Sequence, residues 1–105
     1  MAHASATTFL FAKIAEEAGE ISQYAGKCIA YGPFNKAPGR DVDNLVKMIG
    51  EINQTLAAAR MLVRELRDQG YECPDVIQEQ AINQESEKLL IGFNTSVKLG
   101  MTTYE

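Results

Sequence analysis

The chain has no tryptophan, a single histidine, two cysteines and three prolines in 105 residues, and no run of lysines or arginines. With His3 the only histidine, and that beside the N-terminus, histidine-dependent zinc sites and a serine–histidine triad are excluded. Cys28 falls in an apolar stripe and Cys73 precedes Pro74, so the pair reads as reduced thiols of a cytosolic protein rather than a disulfide framework. The net charge of −4 and the missing basic run argue against a nucleic-acid polymer as partner. Phosphate recognition would have to go through a metal ion and a few placed lysines. No apolar run approaches the ~20 residues needed to cross a bilayer. The start Met1-Ala-His-Ala-Ser lacks the basic opening and apolar core of a signal peptide. The expectation is a cytoplasmic protein without a membrane partner. Alternating strand patterns, internal repeats and low-complexity tracts are also missing.

What is present is helical periodicity. Apolar residues make up 46% of the chain, enough for one small core but not for two, so residues 1–105 are expected to form a single domain. From about Thr7 to Tyr31 the residues Ile14, Ala18, Ile21, Ala25 and Cys28 recur in steps of four and three, the spacing of one helix face. The Gly32–Gly39 segment, with two prolines and two glycines, ends that helix and forms a loop. A second helix is expected to open at Asp41 or Asp43 as cap, with the stripe Leu45, Ile49, Ile52, Leu56, Ala59, Val63 and Leu66, and to end near Gly70. Pro74 is placed to open a third helix, more polar and half exposed. Gly92-Phe93-Asn94 is expected to break or bend it, leaving a short final turn around Val97 and Leu99. The predicted fold is all-α: an antiparallel bundle of three to four helices. Because so few helices cannot cover both faces of so small a bundle, a homodimer or homotetramer is expected to complete it.

Two acidic clusters carry the chemistry. Glu16, Glu17 and Glu20 lie within one stretch of the first helix, and Glu51 and Gln54 lie beside the stripe of the second. Residues three and four apart are neighbours on a helix, so Glu17 and Glu20 point the same way, as do Glu51 and Gln54. Antiparallel packing would bring the groups together. Carboxylates so close repel one another, which raises their pKa values unless a cation neutralises them. A hard ion such as Mg²⁺ meets that need with oxygen ligands. An acidic pair at this spacing is, however, more often a solvated face. Lys27 lies two turns beyond Glu20 on the same face and is a candidate phosphate contact. Tyr24 lies between them, and Tyr31 and Phe34 flank the loop, where any could stack on a base or simply pack. Asn35, Lys36 and Asn44 are candidate contacts to sugar or phosphate.

The string Glu16-Glu-Ala-Gly-Glu20, continuing through Lys27 to Tyr31-Gly32, then Glu51-Ile-Asn-Gln54 and Arg60-Met-Leu62, resembles the small phage-type proteins of the MazG-like nucleotide pyrophosphohydrolase family. Glu87-Lys88-Leu89 resembles that family's lysine-bearing third helix, so the likeness runs through nearly the whole chain. The resemblance implies an all-α, oligomeric hydrolase that converts a nucleoside triphosphate to the monophosphate and pyrophosphate with Mg²⁺ or Mn²⁺. It implies Glu17, Glu20 and Glu51 as metal ligands, with Glu16 a supporting or second-metal ligand, Glu16 or Glu17 as proton acceptor and Lys27 as a phosphate contact. Gln54 can still ligate through its carbonyl, and Tyr31 and Asn44 are the further candidate substrate contacts. Where the family's second motif carries aspartate, this chain has Gln54. A register using Gly50-Glu51 instead would place Met48 where an acid belongs.

Overall fold

The computed structural model describes residues 5–103; His3 and the remainder of the first four residues lie outside that range, as do Tyr104 and Glu105. The described residues form three helices and no strand: α1 (Ala6–Tyr31), α2 (Asn44–Asp68) and α3 (Glu79–Lys98). Ser5 caps α1, its hydroxyl accepting the Thr8 N–H at 3.1 Å. Asp43, rather than Asp41, caps α2, its carboxylate accepting the Val46 N–H at 2.8 Å. Each cap satisfies a backbone donor that the helix itself leaves unpaired.

Gly32, at φ 93°, ends α1 in a conformation that a side chain would strain, and its N–H still reaches the Cys28 carbonyl. The loop that follows is tied to the start of α2 by three hydrogen bonds. Asn44 N–H donates to the Asn35 carbonyl and Leu45 N–H to the Pro33 carbonyl, both at 2.9 Å, and the Asn44 side-chain amide donates to the Gly32 carbonyl at 3.3 Å. Asn44 is buried. These bonds turn the chain back on itself and set α1 and α2 antiparallel.

The two helices meet along residues spaced seven apart: Leu10, Glu17 and Tyr24 in α1, and Asn44, Glu51 and Ala58 in α2, with Leu62 one turn further. This line contains every buried residue of the two helices. It runs to one side of the apolar stripes that periodicity identifies. Ile14, Ile21 and Ala25 of α1, like Ile52, Leu56, Ala59 and Val63 of α2, are only half-buried, and Ile49 and Ala18 are exposed. At 100° per residue in antiparallel helices, these apolar positions fall on the same side of the seam in both helices. Lys13, Glu20 and Lys27 of α1, with Lys47 and Gln54 of α2, fall on the other. The pair is therefore a two-helix layer with one apolar and one polar face.

The third helix differs from expectation. It begins at Glu79, five residues after Pro74, because Arg67 holds the intervening segment by donating to the Cys73 carbonyl (2.7 Å) and to Asp75 (2.9 Å). It runs unbroken through Gly92 to Lys98; one glycine costs an exposed helix only ~1 kcal/mol, too little to interrupt so long a run. The separate final turn is absorbed into it. α3 packs against neither α1 nor α2 and buries no residue, leaving Ile82, Leu89, Leu90 and Ile91 exposed. The smallest dimension of the molecule, 21 Å, is about two helix diameters. The all-α class is as expected, whereas within one chain the packed unit is a helix pair rather than a bundle.

Because Asn44 joins the loop to the helix layer through a buried amide, Asn44→Ala should cost about 1 kcal/mol in urea unfolding of the ligand-free protein. An unchanged midpoint would show that the amide bond to Gly32 does not hold the loop.

Candidate metal centre

Halfway along the α1–α2 seam, where a helix pair of this kind would ordinarily place two apolar side chains, Glu17 and Glu51 face each other. They are 2% and 5% exposed. Glu20, one turn beyond Glu17, joins them from the polar face, and one carboxylate oxygen from each of the three lies within 4.8 Å of the other two. The group is a compact set of hard oxygen donors, two of them shielded from water, which is the chemistry a divalent cation such as Mg²⁺ or Mn²⁺ takes.

Basic and amide groups surround the acids. Lys13 reaches Glu17 at 3.3 Å and Glu16 at 3.6 Å, each one turn away on α1. Lys47 stands 4.0 Å from Glu51. The Gln54 amide lies 2.9 Å from Glu17 and 3.2 Å from Glu51, contacts that are favourable only with its nitrogen toward them, so Nε2 donates to both carboxylates. The expectation that Gln54 shares a face with Glu51 holds, and it is the Glu51–Gln54 register that turns both groups toward Glu17. Glu16 does not join the group: its side chain is exposed and paired with Lys13.

The electrostatics of the pair are unequal. A proton held by Glu51 and shared with Glu17 favours the neutral form of Glu51, as do Glu20, burial and the neighbouring negative charges, so its carboxyl is pushed up from 4.5 to about 7. Glu17 moves the other way, held below its ordinary value first by the hydrogen bond from Glu51 and then by Lys13, against the opposing effect of burial. The Lys13 ammonium is raised by its bond to Glu17 and by the charges of Glu16 and Glu17. Below about pH 7 the seam thus holds one carboxylate and one carboxyl that share a proton, and a cation would take that proton's place.

The remaining expected site residues lie toward the loop end of the polar face. Lys27 sits 4.9 Å from the ring of buried Tyr24. Tyr31, largely exposed, lines a cavity of about 260 Å³ together with Lys27, Asn35, Lys36 and Asn44. Two neighbours of the site escaped sequence reasoning. Lys47 is one helical turn before Glu51, a spacing that could have revealed it. Arg40 belongs to the loop and is brought to Tyr24 by tertiary structure alone, its guanidinium 5.2 Å from the ring. On the other side of the carboxylates, Phe9, Leu10, Ala57 and Met61 line an apolar hollow of about 320 Å³ that reaches Lys13 and Gln54.

Compared with known proteins, the chain matches no family model, no curated protein and no solved structure.

The raised Glu51 carboxyl makes a signed prediction. Its stabilising effect is complete below its ordinary value near 4.5 and is lost as pH rises through about 7, so the metal-free protein should melt progressively lower across that window. Glu51→Gln should flatten this slope and melt above the wild type at pH 8. Parallel melting curves for the two proteins would refute the shared proton. Glu17→Gln should not stabilise in the same way, because Glu17 already has Lys13 and Gln54 as partners.

Proposed function

We propose that the protein is a metal-dependent nucleoside triphosphate pyrophosphohydrolase, with Mg²⁺ or Mn²⁺ held by Glu17, Glu20 and Glu51. The observation that carries this reading is the carboxylate trio: three acids from two helices, two of them buried, kept together at the cost of sharing a proton. The resemblance of the Glu16–Gly32 and Glu51–Leu62 segments to MazG-like proteins supplies the reaction class. The bound ion would supply charge neutralisation at the phosphate oxygens and acidify a water.

The chain's own groups divide the remaining work. Glu17, paired with Lys13, accepts the proton of the attacking water, a task for which Glu16 stands too far outside the group. The water oxygen bonds to the α-phosphorus, the bond to the α–β bridging oxygen breaks, and that oxygen leaves with pyrophosphate. Lys27, with Tyr31 and Asn44 at the neighbouring cavity, contacts the substrate. To ligate the ion, Gln54 would have to turn its amide oxygen inward and give up its donation to Glu17 and Glu51. Its donation to two carboxylates also favours a second reading, a nucleotide-binding protein without turnover, because an amide in place of an acid weakens the ligand field.

The oligomer belongs to the same proposal. A second copy covering the half-buried positions Ile21, Ile52, Leu56 and Val63 would complete a four-helix core, and the exposed residues of α3 offer it further apolar surface. A folded monomer at micromolar concentration in a sedimentation experiment would remove this part.

The decisive assay is a panel of canonical and modified nucleoside triphosphates with and without Mg²⁺, read by product chromatography alongside nucleotide binding. Monophosphate and pyrophosphate should appear only with the metal, and Glu20→Gln should lower turnover by about a hundredfold or more, the scale of a lost metal ligand. Binding without products would select the second reading. Gln54→Asp should lower the half-saturating Mg²⁺ concentration. If that concentration is unchanged, residue 54 does not act on the ion.

A further inference from the structure

Three cations converge on one buried ring. Around Tyr24, the Lys27 ammonium stands 4.9 Å from the ring centroid, the Arg40 guanidinium 5.2 Å and the Lys47 ammonium 5.5 Å. They come from α1, the loop and α2, so the tertiary fold assembles them. Each gains from the electron-rich ring, and all three positive charges lie within 5.5 Å of its centroid, where they repel one another. Acidic side chains do little to offset that repulsion. Among the described residues neither Lys27 nor Arg40 has a carboxylate partner, and Lys47 has only the 4.0 Å contact to Glu51. The guanidinium Nη1 of Arg40 is buried and donates no hydrogen bond. A charged donor out of water with nothing to accept from it is an arrangement that an anion completes.

We propose that Lys27, Arg40 and Lys47 form an oxyanion site on the Tyr24 ring that takes a diphosphate group. The donor set selects the class of ligand. A guanidinium fork and two ammonium groups match tetrahedral oxyanions, which accept from several directions at once. A single phosphate ester carries only about −1.5 to −2 charges, fewer than the three cations present. Two linked phosphates balance them. Lys47 stands between this site and the carboxylate trio, so a diphosphate on Tyr24 continues directly into the position next to Glu51. The assignment of the diphosphate to the β and γ positions of a triphosphate rests on the pyrophosphohydrolase reading; the oxyanion site does not.

The test is calorimetric titration of the full chain with sodium pyrophosphate in metal-free buffer, with sodium phosphate as comparison. Wild type should bind pyrophosphate more tightly than phosphate. Arg40→Met and Lys27→Met should each weaken pyrophosphate binding by roughly 10- to 100-fold, the scale of one lost charged hydrogen bond. Arg40→Lys, which keeps the charge without the fork, should lie between wild type and Arg40→Met, and circular dichroism checks that each variant is helical. Failure of the wild type to bind pyrophosphate, or wild-type affinity in both Arg40 variants, overturns the site. Nucleotide hydrolysis by the same proteins is scored separately. If no triphosphate is cleaved yet the Arg40 variants lose pyrophosphate, the oxyanion site stands and the pyrophosphohydrolase reading falls. If cleavage proceeds and pyrophosphate affinity ignores Arg40, the reverse holds.

Discussion

The contact between Glu17 and Glu51 is the constraint around which the rest of the molecule is arranged. Two acids occupy the middle of the one helix–helix seam among the described residues, where apolar side chains would stabilise the pair most. Burial and mutual repulsion both oppose charge there, so one carboxyl is pushed up to about 7 while the other is held below its ordinary value by the hydrogen bond from the first and by Lys13. A seam that is polar at its centre gives up stability. It does so in a form that a divalent cation can convert into binding, because the oxygens are already gathered and only a proton must leave.

The division of the helix layer into two faces follows from the same seam. With the acids on the contact line, the apolar stripes are displaced to one side and remain half-buried, while Lys13, Glu20, Lys27, Lys47 and Gln54 gather on the other. The loop completes the polar side. Asn44 locks its ends to α2, and Gly39, at φ 79°, turns the chain immediately before Arg40, which reaches Tyr24. Carboxylates at the centre and cations at the loop end form one polar strip along this face.

Much of this was legible in advance. The helix periods of α1 and α2, the Gly32 stop and a cap at Asp41 or Asp43 are local, since they depend on backbone conformations and spacings of three and four residues. The joining of Glu17, Glu20, Glu51 and Gln54 was legible too, because helical spacing puts each pair on one face and a short loop makes the helices antiparallel. The reading failed where the outcome depends on what a helix packs against. Periodicity marks the apolar side of α1 and α2 but not which line along it meets the partner helix, so acids expected beside the stripe proved to be the seam itself. Likewise Ile82, Leu89, Leu90 and Ile91 of α3 are apolar in sequence yet stay exposed, because α3 packs against neither α1 nor α2.

The amino-acid sequence by itself therefore determined α1 and α2, their ends, their antiparallel order and the identity of the acidic group, since each is set by interactions across a few residues. Tertiary structure alone decided which acids are buried, which of them keeps a proton, that Glu16 stays outside, and that Arg40 meets Lys27 and Lys47 on Tyr24. The physical reason is distance in the chain. Desolvation and charge coupling depend on surroundings contributed by other elements, and no local spacing specifies them.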